Sequence, residues 1–171
     1  MLSTASIRSK SIFSILEKDH KRTFRNLNRF YEVLRNLRFE GKKNLGKNIG
    51  EIRKLISYFR REIEAHMREE EKILFPFLRT HVPRLETMIW LLLSEHEDFR
   101  NCLRQLRLSL SEFGKTGSDK DRLIHGLHEQ GTYLVCLLRS HMWVESHSLY
   151  KVADKELRLS ERRKLIKQIV G

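Results

Sequence analysis

Proline is nearly missing from this 171-residue chain, at two residues, and glycine is scarce at eight. Both residues punctuate turns, so their scarcity argues against a strand-rich fold and for a few long elements. The longest apolar run, "MIWLLL" at 88–93, is far too short to span a bilayer. The N-terminal "MLSTASIRSKSIFSILEKDH" lacks the apolar run of a signal peptide. Two cysteines, Cys102 and Cys136, have neither CxxC nor zinc-finger spacing. They read as buried small hydrophobes in a reducing compartment. A soluble cytoplasmic protein, with no membrane partner, is the expectation.

Charge is plentiful but unevenly spread. The net charge is +12, and residues 1–61 carry 16 Lys/Arg against 5 Asp/Glu. Residues 62–150 reverse the balance, with 11 against 14, and the tail 151–171 returns to 7 against 3. A solvated basic surface is the simplest reading; an acidic partner or nucleic acid is the alternative, without a binding motif to support it. With 40% hydrophobic residues the chain is apolar enough to fold, as a single domain over 1–171.

Apolar residues recur at steps of three and four, the period of an amphipathic helix. The first seam runs Phe13, Leu16, Phe24, Leu27, Phe30, Leu34, Leu37, and the second Ile52, Ile56, Phe59, Ile63, Leu74, Phe77. The third runs Leu85, Ile89, Leu92, Phe99, Leu103, Leu106, Leu110, Phe113, and the fourth Leu123, Leu127, Leu134, Leu138, Leu149, Val152. Breaks are expected at "EGKKNLGKNIG" (40–50), "RTHVPR" (79–84) and "GKTGSDKD" (114–121), with Ser118 or Asp119 capping the fourth helix. Pro76 should kink or fray the end of the second helix. The fold class is all-α, an up-down-up-down antiparallel four-helix bundle over about 11–153. A short helix should start after Ser160, in a basic extension over about 154–171.

Six positions in these seams hold polar residues where the pattern calls for Leu, Ile or Phe. They are His20, His66, Glu70, His96, His141 and Glu145. In an antiparallel bundle, residues equally far from a shared loop lie at equal height. His20 and His66 are 20 and 18 residues from theirs, His66 and His96 are 14 and 13, and His96 and His141 are 18 and 22. At 1.5 Å rise per residue, all four histidines converge on one layer. Each His-x-x-x-Glu pair places both side chains on one face. An unpaired buried carboxylate costs several kcal/mol, a cost that a metal removes. Imidazole and carboxylate without thiolate suit iron, manganese or zinc, and facing glutamates can bridge two ions.

The chain also resembles itself. "LEKDHKRTFRNL" (16–27) is similar to "LLSEHEDFRNCL" (92–103), and "YFRREIEAHMREEEKILF" (58–75) to "YLVCLLRSHMWVESHSLY" (133–150). Two related helix pairs facing across a pseudo-twofold axis would each supply half a site.

The combination His20, His66-x-x-x-Glu70, His96, His141-x-x-x-Glu145 resembles the hemerythrin family, the HHE cation-binding domains, over roughly residues 12–152. Oxygen-carrying hemerythrins place a further histidine where this chain has Arg100. They also end on a His-x-x-x-x-Asp motif, where Ser146 stands here at the fifth position. Four histidines and two glutamates are more similar to the di-iron proteins called repair of iron centres and to related NO-binding proteins. That resemblance implies two non-haem irons, O2 or NO as ligand, an iron–sulfur protein as a possible partner, and a role in nitrosative or oxidative stress. Repair proteins often carry a cysteine-containing domain before the bundle, whereas the 19 residues before His20 contain no cysteine.

The remaining histidines, His81, His125, His128 and His147, lack that support; His125 and His128 are three apart, a ligand spacing, but are expected to be solvated or capping. Glu69 and Glu71 should face outward, with Glu69 a stray candidate ligand, and Tyr58, Phe75, Trp143 and Tyr150 should pack. Three function classes fit. The first is a di-iron protein binding O2 or NO, the reading preferred here. The second is a di-iron oxidase, peroxidase or NO reductase. The third is an interaction module with a structural metal and a basic nucleic-acid-binding surface.

Overall fold

A computed structural model describes residues 13–170. The proposed bundle start near residue 11 and most of the stretch read for a signal peptide lie outside the described residues. Among those described there is no strand, and no helix is long and apolar enough to cross a membrane. Five helices follow one another: α1 (Phe13–Glu40), α2 (45–81), α3 (Glu86–Glu112), α4 (120–156) and α5 (Leu159–Val170). The first helix packs on α2 and α4, and α3 packs on the same two. A Cβ at Gly131 in α4 would run into the Leu34 side chain, so the missing side chain lets α4 approach α1.

Two of these helices are not uniformly α. In α2 the segments Phe59–Ile63 and Glu70–Leu74 are π-helical, and in α4 so is Glu145–Leu149. Both seam glutamates thus open a π turn, a wide turn that is found most often at functional sites. Pro76 follows the Glu70–Leu74 turn, as the chain returns to α over Phe75–His81. A proline inside an α-helix clashes with the carbonyl four residues back, and the adjacent widened turn lets the chain accommodate it. The expected fraying does not occur, and α2 continues to His81.

Other boundaries also move. The glycines of 40–50 do not form a loop: Gly41–Asn44 is a 3-10 turn and helix resumes at Leu45, so Gly46 and Gly50 are helical. The cap choice resolves to Asp119, whose side chain accepts from the Arg122 N–H at 3.1 Å. Helix α5 begins at Leu159 rather than after Ser160, and its Leu165 is fully buried.

The apolar core is divided in two. One cluster holds Leu27, Phe30, Leu34, Phe59, Phe99, Leu106, Leu134 and Leu138 among others. The second holds Phe13, Leu16, Leu74, Phe75, Leu92, Leu149, Tyr150 and Leu165. In each of the four long helices, the polar seam residues fall between members of the two clusters. The consequence is a polar layer with apolar packing on both sides, which keeps water from it.

Cys136 departs from expectation, being exposed, whereas Cys102 is buried and burial pushes its thiol up to about 11. Trp143 is exposed too, stacked on His147 rather than packed in the core.

Candidate metal centre

The polar layer contains His20 from α1, His66 and Glu70 from α2, His96 from α3, and His141 and Glu145 from α4. His20, Glu70, His96, His141 and Glu145 are buried, and His66 nearly so. They form two overlapping groups, His20/His66/Glu70/Glu145 and Glu70/His96/His141/Glu145, within each of which the facing donor atoms lie inside 4.8 Å.

The geometry is paired. His20 Nε2 and His66 Nε2 are 3.2 Å apart, and so are His96 Nε2 and His141 Nε2. Glu70 turns one oxygen to each pair, Oε1 at 3.4 Å from His66 Nε2 and Oε2 at 3.6 Å from His96 Nε2. Glu145 does the same, with Oε2 at 3.2 Å from His20 Nε2 and Oε1 at 3.3 Å from His141 Nε2. Neither Glu145 oxygen has a hydrogen-bond partner, nor has Glu70 Oε2. The imidazoles are near enough for attraction but not directed at the carboxylates as donors. Groups sharing a cation look like this: two ligands about 2.1 Å from one ion stand roughly 3.0–3.4 Å apart. The residues present therefore fit a metal centre.

Electrostatics agree that the layer calls for positive charge. Burial alone would lower the His66 pKa, but the Glu70, Glu145 and Asp19 carboxylates outweigh it and carry it up to about 9. For His141 burial is likewise overcome, by Glu145 first, and the pKa rises to about 10. Burial also opposes ionisation of Glu145, yet His141 and His20 hold its carboxyl well below the usual range. His96 goes the other way, lowered by burial and by the charge of His141. The carboxylates of the layer thus hold His66 and His141 toward the protonated form.

A second ring of groups steadies the imidazoles, and most of it escaped the seam pattern. His96 Nδ1 donates to Glu71 Oε1 at 2.8 Å, and His141 Nδ1 donates to Glu95 Oε2 at 2.8 Å. His20 Nδ1 pairs with Ser146 Oγ at 3.1 Å. Because a carboxylate only accepts, Nδ1 carries the proton in the first two, which turns Nε2 toward the cluster. Glu71 therefore faces the centre, contrary to expectation, and is held there by Arg100 at 2.7 Å. Tyr150 is more than packing: its hydroxyl donates to Glu70 Oε1 at 3.0 Å, and its ring stacks on His20 and Phe13. Phe75 stacks on His96. The internal repeat held the signal for these partners, since Asp19 and Glu95 each precede a layer histidine, and Glu71 and Ser146 each follow a layer glutamate.

The other candidates lie outside the two groups. His81 and His147 pair through Nδ1 with the carbonyls of Phe77 and Trp143, and exposed His125 faces Glu129 at 3.4 Å. His128 is only half-buried and on neither group. Arg100, at the position of a fifth hemerythrin histidine, binds Glu71 and Glu97. Glu69 lines a cavity beside the cluster without joining it.

The family model described as hemerythrin HHE cation binding domain matches residues 11–125. The matched span takes in His20, His66, Glu70 and His96 but ends before His141 and Glu145. No curated protein matches the chain significantly.

Proposed function

Because the chain belongs to the hemerythrin HHE cation-binding domain family, we propose that it holds two non-haem irons and binds O2 or NO there. The physiological setting would be a nitrosative or oxidative stress response, as a sensor or in iron-centre repair. His20 and His66 would hold one ion and His96 and His141 the other, with Glu70 and Glu145 offering a carboxylate to both, within an up-down-up-down bundle. One observation carries the reading: two fully buried glutamates, each with one oxygen toward each histidine pair and three of the four oxygens lacking a hydrogen bond. A family-related structural metal would not need this symmetry.

A bound iron pair supplies one-electron chemistry and positions for a small ligand. The chain's own residues do the rest. Glu71 and Glu95 orient His96 and His141 and raise their basicity. Tyr150 donates a proton to the Glu70 carboxylate in a hydrogen bond, and its ring, with Phe13 and Phe75, excludes water from one side. A cavity of about 190 Å³ reaches His20, His66 and Glu145 from the other side, enough for a diatomic molecule. The test is metal analysis of chain loaded anaerobically with ferrous iron, then optical spectra with O2 and with NO. About two irons per chain, the number that two bridging carboxylates imply, and a gas-dependent spectrum are expected. Zinc or no metal in place of iron would sink the proposal.

A second reading draws on one surface. Arg53, Arg60 and Arg107, with Ser57 and Ser111, line a groove of about 380 Å³ between α2 and α3. None of the three guanidiniums has a carboxylate partner among the described residues; Arg53 donates to the Leu110 carbonyl at 3.1 Å. Such a groove suits a phosphate-bearing chain. On this reading, a labelled single-stranded oligonucleotide binds in low salt, weakens as salt rises, and is lost in R53Q/R60Q/R107Q while E70A/E145A retains it. Equal binding by the triple arginine variant would dismiss the groove.

A further inference from the structure

Glu69 neighbours a layer glutamate in the chain but belongs to neither donor group; it stands, half-buried, on the wall of the cavity that reaches the layer. Two further carboxylates line that wall, Asp19 from α1 and Glu62 from α2, and Arg22 is its one arginine or lysine. Exposure separates the rim of the cavity from its inner end. The side chains of Arg22, Asp19 and Glu62 are 50%, 45% and 30% exposed, whereas that of Glu145 is 1% exposed. Arg22 spans the rim, its guanidinium 3.4 Å from Asp19 and 3.3 Å from Glu62. With one guanidinium for three carboxylates, the rim keeps a surplus of negative charge.

Polar groups continue inward from the rim. His66 has the most exposed side chain of the four layer histidines, and its Nδ1 stands 4.0 Å from Asp19 Oδ2. That Nδ1 is buried without a hydrogen-bond partner, while Nε2 lies in the layer beside His20. At the inner end is Glu145, with both oxygens lacking a hydrogen bond. A buried carboxylate without a donor attracts a cation strongly.

The charge of the rest of the chain gives the rim its significance. The net charge is +12, with most of the surplus in residues 1–61. On average, that field repels a divalent cation approaching from solvent. At 0.1 M salt a charge is felt over about 10 Å, so carboxylates on the rim reverse the sign locally.

Resting on the metal-binding reading above, we propose that this cavity is the route by which metal enters the layer, with Asp19, Glu62 and Glu69 as a cation-attracting rim and Arg22 as its gate. The gate is closed when the guanidinium holds Asp19 and Glu62 together. A divalent cation takes the guanidinium's place between the two carboxylates, and Arg22 turns to the solvent that already surrounds half of it. Asp19 and His66 then lead inward to the open Glu145 oxygens. Because Glu145 turns one oxygen to each histidine pair, one rim serves both groups. The rim residues set the rate of loading and are not ligands of the final centre.

The experiment is stopped-flow mixing of metal-free, full-length chain with cobalt(II) at low and at high ionic strength, followed by visible absorption. Equilibrium stoichiometry and circular dichroism accompany each variant. Wild-type loading should slow as salt rises, because screening removes the attraction of the rim. E62Q/E69Q should load about tenfold more slowly at low salt and speed up as salt rises, since the net positive charge then dominates. R22Q should load faster than wild type and also release cobalt faster to excess chelator, the mark of a gate. The charge-matched pair E112Q/E129Q, off the cavity wall, should load at nearly the wild-type rate. Equal rates for wild type, E62Q/E69Q and R22Q would overturn the route, as would equal slowing by E112Q/E129Q and E62Q/E69Q. Wild-type chain that takes up no cobalt at equilibrium would overturn the metal reading itself, and the route with it.

Discussion

Replacing Glu70 and Glu145 together by glutamine should empty the centre of metal, although the shape of the layer is preserved. Each carboxylate offers one oxygen to each histidine pair, so the double variant withdraws anionic ligands from both ions at once. Outer-shell changes already cost about 10–100-fold in affinity, so each direct loss should exceed about a hundredfold. After anaerobic loading and dialysis, plasma mass spectrometry should find about two irons in the wild-type chain and essentially none in E70Q/E145Q. Single variants should fall between. The glutamine substitution removes charge but not volume, so a loss cannot be assigned to a collapsed core. Retention of both ions by E70Q/E145Q would remove the two glutamates from the ligand set.

Acid should weaken metal binding steeply, and the reason is the same charge balance. His66 and His141 have pKa values raised to about 9 and about 10, so near neutrality each ion must displace a proton from one histidine at its position. Below pH about 9, apparent affinity should therefore fall about tenfold per pH unit at each position. Chelator competition with zinc at pH 8 and pH 6 should differ by about a hundredfold per ion. A weakly buffered indicator should report about two protons released per two ions. Affinity independent of pH would contradict the raised values.

The metal-free protein should show the opposite slope. A histidine whose folded pKa lies above its ordinary 6.5 stabilises the fold fully below that value. The contribution disappears as pH rises through 9 to 10. Chelator-stripped protein should thus melt at a lower temperature at pH 10 than at pH 7. Glu145, depressed below the ordinary carboxylate range, acts at the acid end, and its contribution is lost as pH falls below about 4.5.

The six layer residues were legible because a helix seam has a strict period. A histidine at a leucine position every time the seam passes one height is a pattern that a single chain can display. The residues beside them were not legible in the same way. In a regular α-helix the neighbour of an inward residue points well away, so Glu71 reads as an outward charge. The π turn that starts at Glu70 changes that phase, and α3 stands close enough for His96 and Arg100 to meet the carboxylate. Trp143 and Cys136 failed for the complementary reason. Their apolar character suggested burial, but helix rotation put them on the outer face of α4.

Sequence alone pointed to the helical class, to four long helices, to the two-fold internal repeat and to six polar residues at one height. These depend on local period and chain length, quantities that a linear string contains. Tertiary structure decided which oxygen meets which imidazole, that Tyr150 reaches across to Glu70, and that Asp19 falls short of His66 where Glu95 reaches His141. It also decided that the cavity reaches both His20 and His66 but only His141 of the other pair. Those outcomes turn on gaps of about an ångström between helices and on where the helices widen into π turns. Such distances arise from packing among segments far apart in the chain, and no local pattern encodes them.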